Sequence, residues 1–447
     1  TRRSSDLEGA AIVYYGSVSG IVSSISDTVE SNQANANLGH SVFSAGDING
    51  DGYSDMLIGS PDYDNGQANE GGAFVYHGSP NALSLSYISR LDDADNDGAN
   101  FGRSVASAGD VNGDGFNDVI VGADAYMDGA NSNEGRAYIY FGSANGLPTT
   151  PDQTLDDANQ QGALFGTSVA SAGDVNGDGY GDIIVGAYRY DFGGFSQNGR
   201  VYIHYGSSTG VSLIPDRELS SLFDDDGFFG RSVAGAGDIN GDGYGDIIIG
   251  APGASSDTGS AYIFYGSATG INAAPDIILA GQNANDIFGI SVASAGDVNG
   301  DGFSDIIIGA WGNDDGGNNN EGVAYVYLGS AIGLSTSPDF ILDDADLIDA
   351  QFGISVATAG DVNGDGFSDV IIGANNYTNN VLNEGRIFVY HGSPLGLSPT
   401  PDFVADDCDQ NQSNYGYSVS SAGDINGDGY ADIIVGADGF DDGTPNN

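Results

Sequence analysis

The chain has no lysine, one cysteine, one tryptophan and two methionines, and only seven of its 63 acidic residues are glutamate. Each shortage excludes something. A lone cysteine, Cys408, rules out an internal disulfide, so a location outside the cell would need another means of stabilisation. Ten arginines supply all the formal positive charge, and the net charge of -53 makes nucleic acid and anionic membrane surfaces poor partners. No apolar run approaches the roughly 20 residues that span a bilayer, so no direct membrane insertion is expected. The N-terminus (Thr1, Arg2, Arg3, Ser4) shows no signal-peptide apolar core, as expected of a soluble mature chain or an excised part of a longer one.

What is present is aspartate and glycine. The 73 glycines and abundant aspartates favour turns over helices. With 40% hydrophobic and 10% aromatic residues there is material for a core, so the acidity does not imply disorder.

One nine-residue string, D-[IV]-N-G-D-G-[FY]-x-D, occurs seven times, at 47–55, 110–118, 174–182, 238–246, 297–305, 361–369 and 424–432. Its starts are spaced by 63, 64, 64, 59, 64 and 63 residues. A second element of the type E-G-x-A-[YF]-[IV]-Y-x-G-S begins at Glu8, Glu70, Glu134, Asn198, Thr258, Glu321 and Glu384. It leads the first aspartate string and is missing after the last. The first copy can therefore complete the last repeat, an exchange that a closed ring requires and a solenoid does not.

Four strands are expected per repeat. The first is small and Ser/Ala/Gly-rich (101–109), as suits an innermost strand. The second is a short apolar run (183–187, 247–251), covered on both faces by stacked sheets. The third is rich in Tyr and Val (136–141), and the fourth follows a Gly-Ser-x-x-Gly hairpin and often a Pro-Asp step. The chain is thus expected to be a single all-β, seven-bladed β-propeller over 1–447, of four-stranded antiparallel blades, with N-terminal strands closing the C-terminal blade. The expected blades are 37–99, 100–163, 164–227, 228–286, 287–350, 351–413, and a composite of 414–447 with 1–36.

Positions 1, 3, 5 and 9 of each string offer side-chain oxygens and position 7 a backbone carbonyl. Hard oxygen ligands wrapped around a tight glycine turn are what calcium requires. The expected ligands are Asp47, Asn49, Asp51, Tyr53 and Asp55; Asp110, Asn112, Asp114, Phe116 and Asp118; Asp174, Asn176, Asp178, Tyr180 and Asp182; and Asp238, Asn240, Asp242, Tyr244 and Asp246. The remaining strings supply Asp297, Asn299, Asp301, Phe303 and Asp305; Asp361, Asn363, Asp365, Phe367 and Asp369; and Asp424, Asn426, Asp428, Tyr430 and Asp432. That makes about seven Ca²⁺ sites. Unlike the helix-loop-helix calcium motif, position 12 is Ile or Val (Val121, Val185, Ile249), so position 9 must close the site. An Asp-Gly turn alone would give no reason for carboxylates at positions 1 and 9 as well. Magnesium prefers fewer protein ligands, and zinc would want the scattered histidines His40, His77, His204 and His391.

Phe-Gly before the first strand (Phe101-Gly102, Phe165-Gly166, Phe229-Gly230, Phe288-Gly289, Phe352-Gly353) and Gly250-Ala251-Pro252 after the second resemble FG-GAP repeats. These are the blades of the integrin alpha-subunit propeller, and the resemblance covers essentially the whole chain. It implies that the aspartate loops join first and second strands on one rim and bind calcium. Leu38-Gly39 and Tyr415-Gly416 depart from Phe-Gly, and Asp124, Tyr188, Trp311, Asn375 and Asp438 replace the proline. All seven loops are intact here, whereas integrin propellers carry them in some blades only. The closer resemblance is therefore to microbial FG-GAP surface proteins, and no integrin-like heterodimer is implied.

The opposite rim carries connections that vary in length and content (62–69, 188–197, 311–320, 375–383), the usual place for recognition. Tyr63, Tyr126, Tyr190, Tyr377, Phe440 and Trp311 form a candidate ligand rim, the simpler alternative being that each ring covers the edge of its own blade. Acidic runs at 92–95, 224–226 and 343–346 are read as solvated loops ahead of extra weak cation sites. The expected function is a calcium-binding, non-catalytic module for adhesion, surface structure or protein interaction, including self-assembly. A carbohydrate-binding lectin is the alternative. A polysaccharide-active or lipid-active enzyme, as some resembling proteins are, ranks below both, because no His/Ser constellation stands outside the repeat. Loops lacking the twelfth-position glutamate should bind weakly, which points to the calcium-rich extracellular side, secreted or at a cell surface. Both termini are expected on the variable rim, where a protein or glycan would bind.

Overall fold

The computed structural model describes residues 8–22, 26–80, 83–84, 86–92, 97–129, 131–221, 226–314, 320–343, 347–379, 381–406 and 410–441. Thr1, Asn447, Cys408 and most of the three acidic runs lie outside them. The described strands form seven four-stranded antiparallel sheets. A representative sheet takes Phe101–Gly109, Asp118–Ala123, Arg136–Tyr140 and Gln153–Leu155 in chain order. Among the described residues, no helix is long and apolar enough to cross a membrane.

Alternation within the second strand explains the stacking. Every second strand is six residues long and buried throughout. In Asp182–Ala187, Ile183 and Val185 pack toward Ile120 and Ile139 of the sheet before, while Ile184 packs toward Ile247 and Ile249 of the sheet after. A strand whose two faces both meet apolar sheets has no polar position to spare, hence its continuous apolar run. Seven such cores fill the seven boundaries between consecutive sheets, the last sheet packing on the first through Val13, Ile434, Ile58 and Phe74. The first strands of all seven sheets border a central cavity of about 400 Å³, where Phe43 stands among Ala170, Ala234, Ala293 and Ala357 at the equivalent position.

The ring closes as the missing final repeat element requires. Ala10–Tyr14 lies between Ser26–Glu30 and Asp432–Ala437, with Ala10 opposite Ala437 and Tyr14 opposite Ile433. Gly9 N–H donates to the Phe440 carbonyl at 3.0 Å, and Gly16 N–H to Asp432 Oδ1 at 2.9 Å.

Glycine contacts hold neighbouring blades together. An ideal Cβ on the second-strand glycines Gly59, Gly122, Gly186, Gly250, Gly309, Gly373 and Gly436 would stand 1.9–2.2 Å from the carbonyl oxygen of the next blade's Phe-Gly glycine. That carbonyl also accepts a serine hydroxyl from the preceding blade in several cases, as Ser168 Oγ to Gly230 O at 2.8 Å. The Phe-Gly aromatics are buried, and Leu38 and Tyr415 occupy the same seat, the latter with its hydroxyl 2.6 Å from that of Tyr14. Gly186→Ala should therefore cost about 2–3 kcal/mol by overpacking. The check is the urea midpoint of the variant, which should fall with an unchanged slope.

Candidate functional site

The seven aspartate strings are the connections between first and second strands and lie together on one rim, with neighbouring loops stitched side by side. The position-8 N–H of each donates to the position-1 carbonyl of the loop before, as Gly181 N–H to Asp110 O at 2.8 Å and Ser54 N–H to Asp424 O at 3.0 Å. The position-7 ring lies on the position-4 glycine of the preceding loop. A Cβ on Gly113 would meet Tyr180 at 2.6 Å, and one on Gly427 would meet Tyr53 at 2.6 Å. These contacts explain the unvarying position-4 Gly and position-7 [FY] of the string, for which ligand chemistry alone offers no reason.

Within a loop the aspartates have two different fates. At positions 1, 3 and 5 the side chains brace the turn near solvent: Asp110 accepts the N–H groups of Gly113, Asp114 and Gly115 at 2.7–3.0 Å, Asn112 Oδ1 accepts that of Asp114, and Asp114 Oδ1 that of Phe116. At position 9 the residue is fully buried in all seven blades. Its two oxygens take the N–H of position 2 and that of the glycine in the third-to-fourth strand turn, as Val111 and Gly142 donate to Asp118 at 2.9 and 2.8 Å. The same pair recurs throughout at 2.8–3.1 Å.

Burial, with repulsion from positions 1 and 5, pushes Asp55, Asp118, Asp182, Asp246, Asp305 and Asp432 up to about 7. Burial is also the main cause at Asp369, raised to about 6. The paired N–H donors oppose the shift without cancelling it.

As a donor set the loop suits a hard divalent cation. An oxygen that accepts one N–H keeps a second lone pair, so Asp110 Oδ2, Asn112 Oδ1 and both oxygens of Asp118 retain acceptor capacity. The three carboxylates of a loop do not gather as a set within 4.8 Å. Among the described residues the set that does is Asp128, Glu134 and Asp156 on the opposite rim. That cluster could also hold a cation: Glu134 is buried with Oε2 lacking a hydrogen bond, although Arg136 Nη2, 2.8 Å from Asp156 Oδ2, already supplies positive charge. Sequence pattern missed it because its members come from two connections, Asp128 and Glu134 from the second-to-third and Asp156 from beyond the fourth strand. The histidines do not gather: His40 is at the mouth of the central cavity, and the others lie at the ends of third strands.

The candidate ligand rim is placed as follows. Tyr63, Tyr126, Tyr190, Tyr377 and Phe440 pack against the cores of their own blades, and Trp311 is partly buried. Arg136 and Arg386 each lie 3.9 Å from the ring centres of Tyr126 and Tyr377, Arg200 lies 4.3 Å from that of Tyr190, and Arg90 lies 5.3 Å from that of Tyr63. Four of the rings thus carry a guanidinium across one face.

Fold and loops define a seven-bladed propeller with one aspartate turn per blade. Residues 41–76, 101–140, 165–204, 229–264, 288–327, 352–390 and 415–447 match the FG-GAP repeat model, more than half of the chain, and the protein belongs to the FG-GAP repeat family. It is 41% identical over 159 residues to mouse integrin alpha-IIb, 39% over 158 to Xenopus laevis integrin alpha-5, and 35% over 225 to chicken integrin alpha-6. These stretches are 35%, 34% and 49% of this chain but only 15%, 14% and 19% of the integrin subunits. Among solved structures, Saccharomyces cerevisiae Sqt1 overlays at TM-score 0.41 and 11% identity, over 86% of this chain and 78% of that one, a likeness too loose to build on. Propellers of this repeat are typically non-catalytic structural and adhesion domains.

Raised carboxylate pKa values have a direct consequence for protein stripped of divalent cations. A native pKa of about 7 against an ordinary 3.8 means that the folded state holds protons the unfolded state has lost. The associated stability is complete below about pH 4 and is lost as pH rises through about 7. After exhaustive EGTA dialysis, the melting temperature should be higher at pH 5 than at pH 8; a rise with pH would contradict the assignment.

Proposed function

We propose that the chain is an extracellular, calcium-loaded propeller that serves as a non-catalytic adhesion or protein-interaction module. The observation that carries it is the seven-fold recurrence of a buried, desolvated carboxylate behind three oxygen-bearing side chains, two half-buried and one exposed. Uncompensated, each loop crowds like charges into a tight turn, and a divalent cation offsets both the repulsion and the burial of position 9. In each blade the ligands would be positions 1, 3, 5 and 9 with the position-7 carbonyl, Asp110, Asn112, Asp114, Asp118 and Phe116 in the second string. Because the loops are stitched to one another, order imposed on one loop braces its neighbours.

The similarity to integrin alpha subunits supports an adhesive role, with a protein or glycan partner engaging the variable rim. Extracellular modules bind calcium at about 10⁻⁴ to 10⁻³ M, which favours a setting where calcium is plentiful, secreted or at a cell surface. The blade limits drawn from the repeat spacing belong to the same proposal.

Calcium at ten times its dissociation constant stabilises by about 1.4 kcal/mol per site, or about 10 kcal/mol over seven independent sites. Calorimetric titration of EGTA-dialysed protein should show about seven sites, and the melting temperature should rise by more than about 10 °C in millimolar calcium. A melting temperature indifferent to calcium would sink the proposal. Asp114→Asn should remove about one site.

A further inference from the structure

One residue per blade follows the Phe-Gly step or its equivalent: His40, Arg103, Thr167, Arg231, Ile290, Ile354 and Tyr417. Together with adjoining serines these residues ring a hollow of about 250 Å³ on the rim opposite the aspartate loops, which shares Val169 and Val233 with the lining of the central cavity. Among the described residues, two guanidiniums and an imidazole border this hollow and no carboxylate does, in a chain with 63 acids. A neighbouring hollow of about 270 Å³ shares Arg231 and Ile290 with it and adds Tyr188, Arg189 and Asp257.

The engagement of the other arginines sharpens the contrast. Arg90, Arg136, Arg200 and Arg386 pair with Asp92, Asp156, Glu218 and Asp406, and Arg217 donates to the carbonyls of Ile271 and Thr269. Arg103 lies 3.6 Å from Asp124 and donates to His40 Nε2 at 2.7 Å. Arg189 and Arg231 form no ion pair among the described residues; both lie 5.3 Å from the centre of the Tyr188 ring.

The acids nearest the hollow are engaged behind it. Asp124 faces Arg103, and Asp438 Oδ2 lies 3.3 Å from His40 Nδ1 while its Oδ1 accepts Asn414 Nδ2–H. Burial holds His40 below the ordinary imidazole range, in keeping with an Nε2 that accepts from Arg103. Arg231, which forms no ion pair among the described residues, is the less engaged of the two guanidiniums, although it too acts on buried Asp124.

Hydroxyl donors converge on the same side. Ser104 and Ser168 donate their hydroxyls to the carbonyls of Gly166 and Gly230 at 2.8 Å. Ser232 and Ser291 instead accept the N–H of Val292 and Val356 at 3.1 Å, which leaves their protons available to a ligand.

We propose that this mouth binds one carboxylate group of a small sugar acid. Arg231, assisted by Arg103, takes the charge, and Ser232, Ser291 and Tyr417 face the ring hydroxyls. A single charge is favoured over a polyanion, because each further negative group would meet the field of a protein at -53. The volume matches one monosaccharide unit and does not admit a folded partner.

The test is calorimetric titration of the full, calcium-loaded chain at low ionic strength with glucuronate, glucose and acetate. Glucuronate should bind at one site per chain, with glucose and acetate each at least tenfold weaker. Arg231→Gln should weaken glucuronate at least tenfold with an unchanged melting temperature, and Arg231→Lys should restore part of the loss. If R231Q melts early, Tyr417→Phe, at the border of the same hollow, replaces it and should weaken binding severalfold. Equal binding of glucose or acetate, many sites per chain, or full affinity in R231Q or, where that melts early, in Tyr417→Phe would overturn the proposal.

Discussion

At every boundary between blades, the carbonyl oxygen of one Phe-Gly glycine occupies the space that a Cβ would need on the second-strand glycine of the blade before it. No side chain fits there, so the backbones approach as closely as packing allows and the sheets converge on the axis. The rest of the fold depends on that approach. It lets the apolar second strands meet sheets on both faces, aligns the serines that reach across to the same carbonyls, and brings the last sheet onto the first. The first strands must then be small, because seven of them share the space around one cavity. Closure by Ala10–Tyr14 belongs to the same geometry, since a ring held by tight contacts cannot leave its final sheet at two strands.

The aspartate rim adds a second, polar ring to this apolar one. Each loop leans on its neighbour through a main-chain hydrogen bond and an aromatic ring on glycine, so its turn is shaped from outside as well as from within. The buried position-9 carboxylate ties the loop to the third-to-fourth strand turn of its own sheet, or of the N-terminal segment in the closing sheet. Electrostatic repulsion is thereby built into a rigid frame, an arrangement suited to divalent cations and costly without them.

Charge is sorted by position rather than spread. Four arginines at or near the outer strands lie across tyrosines and pair with acids at the blade edges, so the aromatic rim is structural on the faces they cover. Two others, Arg103 and Arg231, border the opposite mouth of the central cavity, and Arg189 lines a neighbouring hollow. A sequence this acidic gives no hint of a cationic mouth, because residues about 64 positions apart meet only when the blades are arranged about an axis.

Repeat spacing, the displaced Glu8 element and the apolar second-strand runs made blade number, strand order and ring closure legible without coordinates, because periodicity and alternation are local and each copy repeats the same evidence. The recurrent oxygen-bearing positions were legible for the same reason. Sequence could not distinguish Asp110 from Asp118, which are identical in type and lie eight residues apart. Their separation into a half-buried turn brace and a fully buried carboxylate whose pKa burial raises was decided by the Gly142 N–H and by the packing of neighbouring sheets. The sequence by itself determined a closed seven-fold ring of aspartate turns; tertiary structure alone decided which carboxylates are desolvated and where the unpaired arginines meet, because burial and charge proximity are set by contacts between blades.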